Sequence, residues 1–178
     1  QWAAIKSEKE INVQEYEYDI SFVGAYSPSR DWIISRLKSK KIDISVFGMG
    51  WKDSKPVDYK EMINIFKKSK INLNLSNSTP KDIDFLKYST LILLRSFGQL
   101  FKLRFNHFFD EAIRCLKNIK FFFFYEKTKE QIKARNFEIP ASGGFQISSY
   151  APGISDYFSH SNEIVIYKTI NELIDKIF

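Results

Sequence analysis

The stretch YDISFVGAYSPSRDWIISRLKSKKIDISVFG, residues 18–48, decides the fold. Tyr18 to Gly24 is a short apolar run closed by a glycine, the pattern of a buried strand. Ala25 to Ser29 is polar and carries Pro28, a loop signal. Asp31 to Lys40 then sets Trp32, Ile33, Ile34 and Leu37 at helical spacing. Ile42 to Gly48 alternates apolar and polar residues and again stops at glycine. Strand, loop, helix and strand within about 30 residues form a βαβ unit, whose two strands run parallel.

The same rhythm extends outward. Residues 1–17 are mixed and polar, with Trp2 as their one strong anchor, and read as a linker or lead-in segment. Residues 58–69 read as a helix with Met62, Ile63, Ile65 and Phe66 on its apolar side, and Ile71 to Leu75 as a third strand. Residues 81–118 change character into long helical patterns, either a helical insertion or two helices on the sheet edge. Phe121 to Tyr125, five aromatics in a row, fits a strand or a buried connection. From Lys129 the alternation returns: a helix over 129–142 broken near Pro140, a turn at Gly143-Gly144, a strand from Phe145, a short helix near Ile154, a strand from Glu163 to Tyr167, and a last helix capped by Thr169 or Asn171. The expected class is therefore α/β: a Rossmann-like parallel sheet with helices on both faces, spanning 18–178, interrupted by an insertion within 81–125.

Composition narrows the chemistry. In 178 residues, 44% are hydrophobic, enough for a core, and the net charge of +6 favours anionic ligands. The single Cys115 excludes a disulfide framework within the chain, and the two histidines, His107 and His160, lack the spacing of a local metal motif. With one cysteine the simplest expected setting is reducing and cytoplasmic, at most peripheral to the inner membrane face, and no run of 18 apolar residues marks a membrane span. The aromatic-basic stretch 97–125 fits three roles: core packing, contact with a membrane surface, or contact with a domain outside this chain. The first residue is Gln1, and both ends read as cut from something longer.

Ligands of parallel sheets bind where strand ends feed helices. Two segments stand at such ends. In the first, Gly24 to Arg30 leaves a strand and opens a helix, whose free N–H groups suit phosphate, with Arg30 adding a guanidinium. The plain alternative is an ordinary turn capped by Ser29. In the second, Glu130 and Glu138 bracket Lys133 and Arg135. On a continuous helix, eight residues leave the two carboxylates about 80° apart, a mixture suited to a ligand with both hydroxyls and phosphates. The plain alternative is a solvated charged face.

The run Gln131 to Phe145, QIKARNFEIPASGGF, resembles the signature of the spore-maturation (CgeB-like) branch of the GT-B glycosyltransferases. Further pieces resemble it in the same order: YDISFVG from Tyr18 followed by Arg30, FGMGW from Phe47, SKINLN from Ser69, Tyr150-Ala151-Pro152-Gly153, and Glu163 to Tyr167. The resemblance covers nearly all the chain except residues 80–125. It implies a C-terminal domain that binds a nucleotide-diphospho-sugar, with no cofactor and no bound metal. In related retaining enzymes a Glu-x7-Glu motif holds the donor. Glu138 matches the glutamate that contacts ribose, and Glu130 has the spacing of the one that contacts the sugar. Lys133, Arg135 and Arg30 match the basic groups that hold the diphosphate, Arg135 also acting in catalysis beside Glu130. Gly24, Gly143 and Gly144 would allow close backbone approach. Where relatives often carry an arginine after the first glycine, this chain has Ala25.

The resemblance thus implies the donor half of a glycosyltransferase, inactive by itself because the acceptor domain lies outside the chain. The alternative is a non-catalytic nucleotide- or phosphosugar-binding module derived from such an enzyme. Charge alone supports a nucleic-acid partner, but no helix-turn-helix, RRM or zinc pattern accompanies it, and no nucleic acid is expected.

Overall fold

The structure is a computed structural model, and it describes residues 16–52, 54, 56–75, 83–100, 105–124, 131–160 and 162–178. Five strands, β1 (Tyr18–Val23), β2 (Ser45–Phe47), β3 (Ser69–Asn74), β4 (Gln146–Ser149) and β5 (Val165–Tyr167), form one sheet in the order β2-β1-β3-β4-β5. Every neighbouring pair is parallel. The described helices are α1 (Pro28–Ser39), α2 (Tyr59–Lys67), α3 (Ile83–Leu100), α4 (Phe105–Phe124), α5 (Arg135–Ala141) and α6 (Ile170–Ile177), with one 3₁₀ turn at Ile154–Asp156. The chain divides into two compact units. One joins residues 1–77 to 130–178, and the other is 78–129.

The chain steps from β1 outward to β2, then returns past β1 to β3. Right-handed crossovers put α1 on one face of the sheet and α2 on the other, because the direction of travel reverses between them. Register explains the alternating sequence of β3. Ser21 pairs with Asn72, Asn72 with Gln146, and Asn74 with Ser148, so these side chains share one face. The other face carries Phe22, Leu73 and Ile147, all buried. Buried polar side chains must find partners, and Asn72 does. It accepts from Ser21 Oγ at 3.0 Å and donates to the carbonyls of Phe66 and Phe145 at 3.1 and 3.2 Å. Around this polar strip Val23, Met62, Ile65, Phe66 and Ile139 build an apolar cluster beneath α2 and α5. A second cluster joins Ile154, Ile164 and Ile166, with Ile132, Tyr150 and Phe158 against it.

Several sequence expectations shift. The second strand begins at Ser45 rather than Ile42, although Ile42 and Ile44 are buried. The cap of α1 is Ser27, not Ser29. Ser27 Oγ accepts from the Arg30 amide at 3.3 Å, and Ser29 is buried inside the first turn. Phe121–Phe124 is neither strand nor connection but the last turn of α4, while Tyr125 lies outside the described residues. Helical hydrogen bonding continues through aromatics when the preceding turn is already formed, since propagation is easier than nucleation.

The second unit contains the packed pair α3 and α4. Phe85, Ile92 and Cys115 are buried in it, and Phe85 stacks on Phe122 with centroids 6.5 Å apart. The Cys115 thiol donates to Ser89 O at 3.0 Å, and burial raises its pKa. Leu94, Leu116 and Phe123 remain exposed. No helix among the described residues is long and apolar enough to cross a membrane.

Candidate functional site

The strand order reverses between β1 and β3, and the carboxyl ends of the strands at such a point are the usual ligand position in parallel sheets. The loop after β1 is tightly held there. Gly24 N–H donates to Phe47 O at 2.9 Å, Tyr26 N–H to Met49 O at 2.9 Å, and Trp51 Nε1–H to Gly24 O at 2.8 Å. The loop after β2 therefore lies against the loop after β1. The approach is close enough that a Cβ on Gly48, at φ +123°, would sit 2.5 Å from Gly24 O. This contact accounts for the FGMGW segment.

The start of α1 gives an anion fewer amides than a bare helix end. Pro28 has none, the Arg30 amide bonds Ser27 Oγ, and the Asp31 amide bonds Ser27 O at 3.0 Å. With Gly24 and Tyr26 also committed, an anion beside this loop must be met chiefly by side chains.

Arg30 is the side chain in place. Its Nε–H donates to Leu75 O at 3.1 Å and its Nη1–H to Ala25 O at 2.8 Å, so it spans the ends of β1 and β3. Its guanidinium carbon lies 5.5 Å from the centroid of the Phe22 ring. Burial lowers its pKa. The Tyr167 phenol acts to raise it, and the positive charge of Arg135 lowers it further. Among the described residues no carboxylate pairs with Arg30. Tyr167, missed in the sequence reading, is buried at the end of β5. Burial raises its pKa, opposed by a hydrogen bond with Ser149 and by the charge of Arg30. An aromatic at the end of a strand reads as core from sequence alone, which hides it.

The second segment differs from its expected form. The helix over 129–142 contracts to Arg135–Ala141, and 131–134 is not helical. The cause is Asn136, whose Oδ1 accepts the Lys133 amide at 2.9 Å and so competes with helix continuation. The helical spacing of Glu130 and Glu138 therefore does not apply, and Glu130 lies outside the described residues. Pro140 sits within α5 without breaking it. The carbonyl its missing amide would engage, that of Asn136, accepts from Gln146 Nε2 at 2.9 Å instead.

Arg135 Nη1 and Glu138 Oε2 form an ion pair with side chains 33% and 19% exposed, so neither is an outer-surface group. The Arg135 guanidinium carbon lies 5.8 Å from the Phe66 ring centroid. Lys133 is half-buried and its Nζ donates to Gln131 Oε1 at 2.8 Å. Ile132 packs on the Ile154 cluster, which lays this segment beside the loop after β4. Gly143 and Gly144 stand elsewhere, at the amino end of β4. Gly143 turns with φ +83°, and a Cβ on Gly144 would meet Asn72 Nδ2 at 2.8 Å.

A depression on α2, lined by Asp58, Lys60, Glu61, Ile63, Asn64 and Lys67, mixes acids and bases and belongs to another part of the surface. Among the described residues no group of three metal-ligating side chains forms. The sequence reading passed over Asp82-Ile83-Asp84, two acids two apart, a pattern able to grip a divalent cation. Asp82 lies outside the described residues.

A parallel sheet that reverses direction between β1 and β3, with helices on both faces, defines a Rossmann-like α/β domain. A family model described as glycosyl transferase-like matches residues 87–178, more than half of the chain, and the chain belongs to that family. The match includes Lys133, Arg135 and Glu138 but begins after Arg30. Searches of curated proteins and of solved structures gave no match.

Proposed function

We propose that the strand-end crevice binds a nucleotide-diphospho-sugar and that the chain is the donor domain of a GT-B-type, retaining glycosyltransferase related to the CgeB-like branch. In this reading Arg30, Lys133 and Arg135 face the diphosphate. Glu138 uses Oε1 to accept from ribose hydroxyls while Oε2 keeps Arg135 oriented. Gly24 packs beneath the ligand. Glu130 contacts the donor sugar, a role carried by the family resemblance alone. The observation that carries the proposal is the placement of Arg30, whose guanidinium spans the ends of β1 and β3 at the reversal point. Arg30 is partly buried, no carboxylate pairs with it among the described residues, and the positive charge of Arg135 acts on it. An anion bound at Arg30 offsets that charge.

The chemistry follows. The bond between the anomeric carbon and the phosphate oxygen breaks, and its electron pair leaves on the diphosphate. Guanidinium groups already in place stabilise that growing charge more than the ground state, lowering the barrier. The acceptor and any base come from a domain outside this chain, so the isolated chain binds donor without transferring sugar, and no metal is required. Gly143 and Gly144, before the amino end of β4 and so away from the carboxyl ends of the strands, are not in the ligand set of this reading. The aromatic-basic hairpin remains a candidate contact for a membrane surface, and nucleic acid is not a partner in this reading.

Calorimetry with UDP- and GDP-sugars tests the proposal. Binding is expected, weakened in Arg135→Ala and Glu138→Ala. Absence of both heat and thermal shift across the panel overturns it. A second reading, a module that binds a nucleotide without serving transfer, is favoured by Ala25 and by the committed amides of the loop after β1. Donor turnover by a longer form of the protein carrying an acceptor domain would exclude it.

A further inference from the structure

We infer that Asn136 is a positioning residue, which clamps the Lys133–Arg135 segment to β4 and thereby fixes where Arg135 stands at the carboxyl end of the sheet. The inference rests on the donor-site reading above. Asn136 is fully buried although polar, and its hydrogen-bonding groups are engaged. Oδ1 accepts the Lys133 amide at 2.9 Å, Nδ2 donates to Ser148 Oγ at 2.9 Å, and the backbone carbonyl accepts from Gln146 Nε2 at 2.9 Å.

Ser148 Oγ also accepts from Asn74 Nδ2 at 3.2 Å and donates to Ser149 O at 3.2 Å. Asn74 is followed in the chain by Leu75, whose carbonyl holds Arg30. A continuous polar connection therefore crosses the carboxyl edge of the sheet. It runs from Arg30 through the end of β3 to Ser148 of β4, and on to Asn136 beside Arg135. Arg30 on α1 and Arg135 on α5 are each tied to that connection, Arg30 through Leu75 O and Arg135 through its neighbour Asn136.

Only a carboxamide performs this task fully. It supplies one acceptor to the amide above and one donor to the hydroxyl below. Adjacent helical residues point about 100° apart, so Asn136 enters the sheet while Arg135 stays at the crevice. By halting the helix at Arg135, Asn136 also leaves Gln131–Lys133 free to lie over the Ile154 cluster through Ile132.

The test compares Asn136→Ala with Asn72→Ala in the full chain. Asn72 is equally buried and hydrogen-bonded, but its partners are Ser21, Phe66 and Phe145, outside this connection. The probes are UDP and inorganic pyrophosphate by calorimetry, thermal melting, and amide hydrogen exchange. Both variants should melt lower. Asn136→Ala should lose about tenfold or more in affinity for both probes, as misplaced binding groups do, with faster exchange over 131–138 but not over 18–23. Asn72→Ala should keep its affinity within about twofold, since an effect confined to stability leaves the site geometry intact.

Equal affinity losses in the two variants, or unchanged exchange over 131–138, overturn the inference. If the unaltered chain binds neither probe and none of the UDP- and GDP-sugars, the donor-site reading falls, and exchange alone decides whether Asn136 clamps the segment. Should Asn136→Ala not fold, Asn136→Asp replaces it. The aspartate keeps the acceptor for the Lys133 amide, and Ser148 can turn to donate to it. An intermediate loss of affinity supports the clamp, and none overturns it.

Discussion

Arg30 and Leu75 are tied across the reversal point of the sheet, with Arg30 Nε–H donating to Leu75 O at 3.1 Å and Nη1–H reaching back to Ala25 O at 2.8 Å. Leu75 is buried, so its carbonyl has no ready replacement from water. Arg30→Ala should cost about 1–3 kcal/mol for the orphaned acceptor and lose sugar-nucleotide affinity. Arg30→Lys keeps the charge but not the planar fork, and should recover part of the affinity while remaining destabilised. Urea unfolding and calorimetry read the two effects separately. An Arg30→Ala variant as stable and as tight-binding as the parent would remove this residue from the site.

Gly48 makes a second prediction. Its φ of +123° and the 2.5 Å gap to Gly24 O leave no room for a side chain. Gly48→Ala should cost about 1–3 kcal/mol and displace the Gly24 carbonyl from Trp51 Nε1, changing tryptophan fluorescence. Gly153→Ala is the comparison. It also has positive φ, but its nearest contact would be 3.4 Å away, so the cost should be nearer about 1 kcal/mol. The reverse order of stabilities would show that loop packing at Gly48 is looser than described.

The frame of the domain was legible because its signals are local. The apolar run from Tyr18 and the alternation from Ile71 each identify a strand, the second of which begins two residues earlier, at Ser69, and Thr169 announces the last helix by its side-chain acceptor. What escaped depends on contacts distant in sequence. Nothing in residues 129–142 shows that Asn136 will turn back to the Lys133 amide, because that choice is stabilised by Ser148, twelve residues on. Arg30 was legible as a candidate by its position after a strand. Its engagement with Leu75, forty-five residues away, was not. Tyr167 read only as the end of a strand, since it is the sheet order that brings it under the influence of Arg30.

Pro140 and Gln146 should be energetically coupled. Pro140 deprives the Asn136 carbonyl of its helical donor, and Gln146 Nε2 supplies one at 2.9 Å, while Gln146 Oε1 is buried without a partner. Gln146→Leu alone should destabilise the chain, leaving a buried acceptor unsatisfied at about 1–3 kcal/mol. In a Pro140→Ala background the new amide can bond the same carbonyl, so the same Gln146→Leu change should cost less. A double-mutant cycle measures the difference, expected at about 0.5 kcal/mol or more. Strict additivity would mean that Gln146 does not stand in for the missing amide.

The last helix carries a pH-dependent cap. Thr169 Oγ accepts the Glu172 amide at 3.2 Å, and the Glu172 carboxylate accepts the Lys168 amide at 2.8 Å, with Lys176 Nζ 3.4 Å away. The Lys168 amide is the main cause of a Glu172 pKa below its ordinary value of 4.5; burial opposes it, and Lys176 adds to the lowering. A folded-state pKa below the unfolded one stabilises the chain only while the carboxylate is charged. The contribution is therefore present above pH 4.5 and lost as the pH falls through the folded value. Urea unfolding of the parent and of Glu172→Gln, from neutral pH down to about pH 3, should show a stability gap that closes on acidification. Thr169→Ala, which removes an uncharged acceptor, should cost about 1 kcal/mol with little dependence on pH. A gap for Glu172→Gln that persists unchanged in acid would assign its effect to packing rather than to the charged cap.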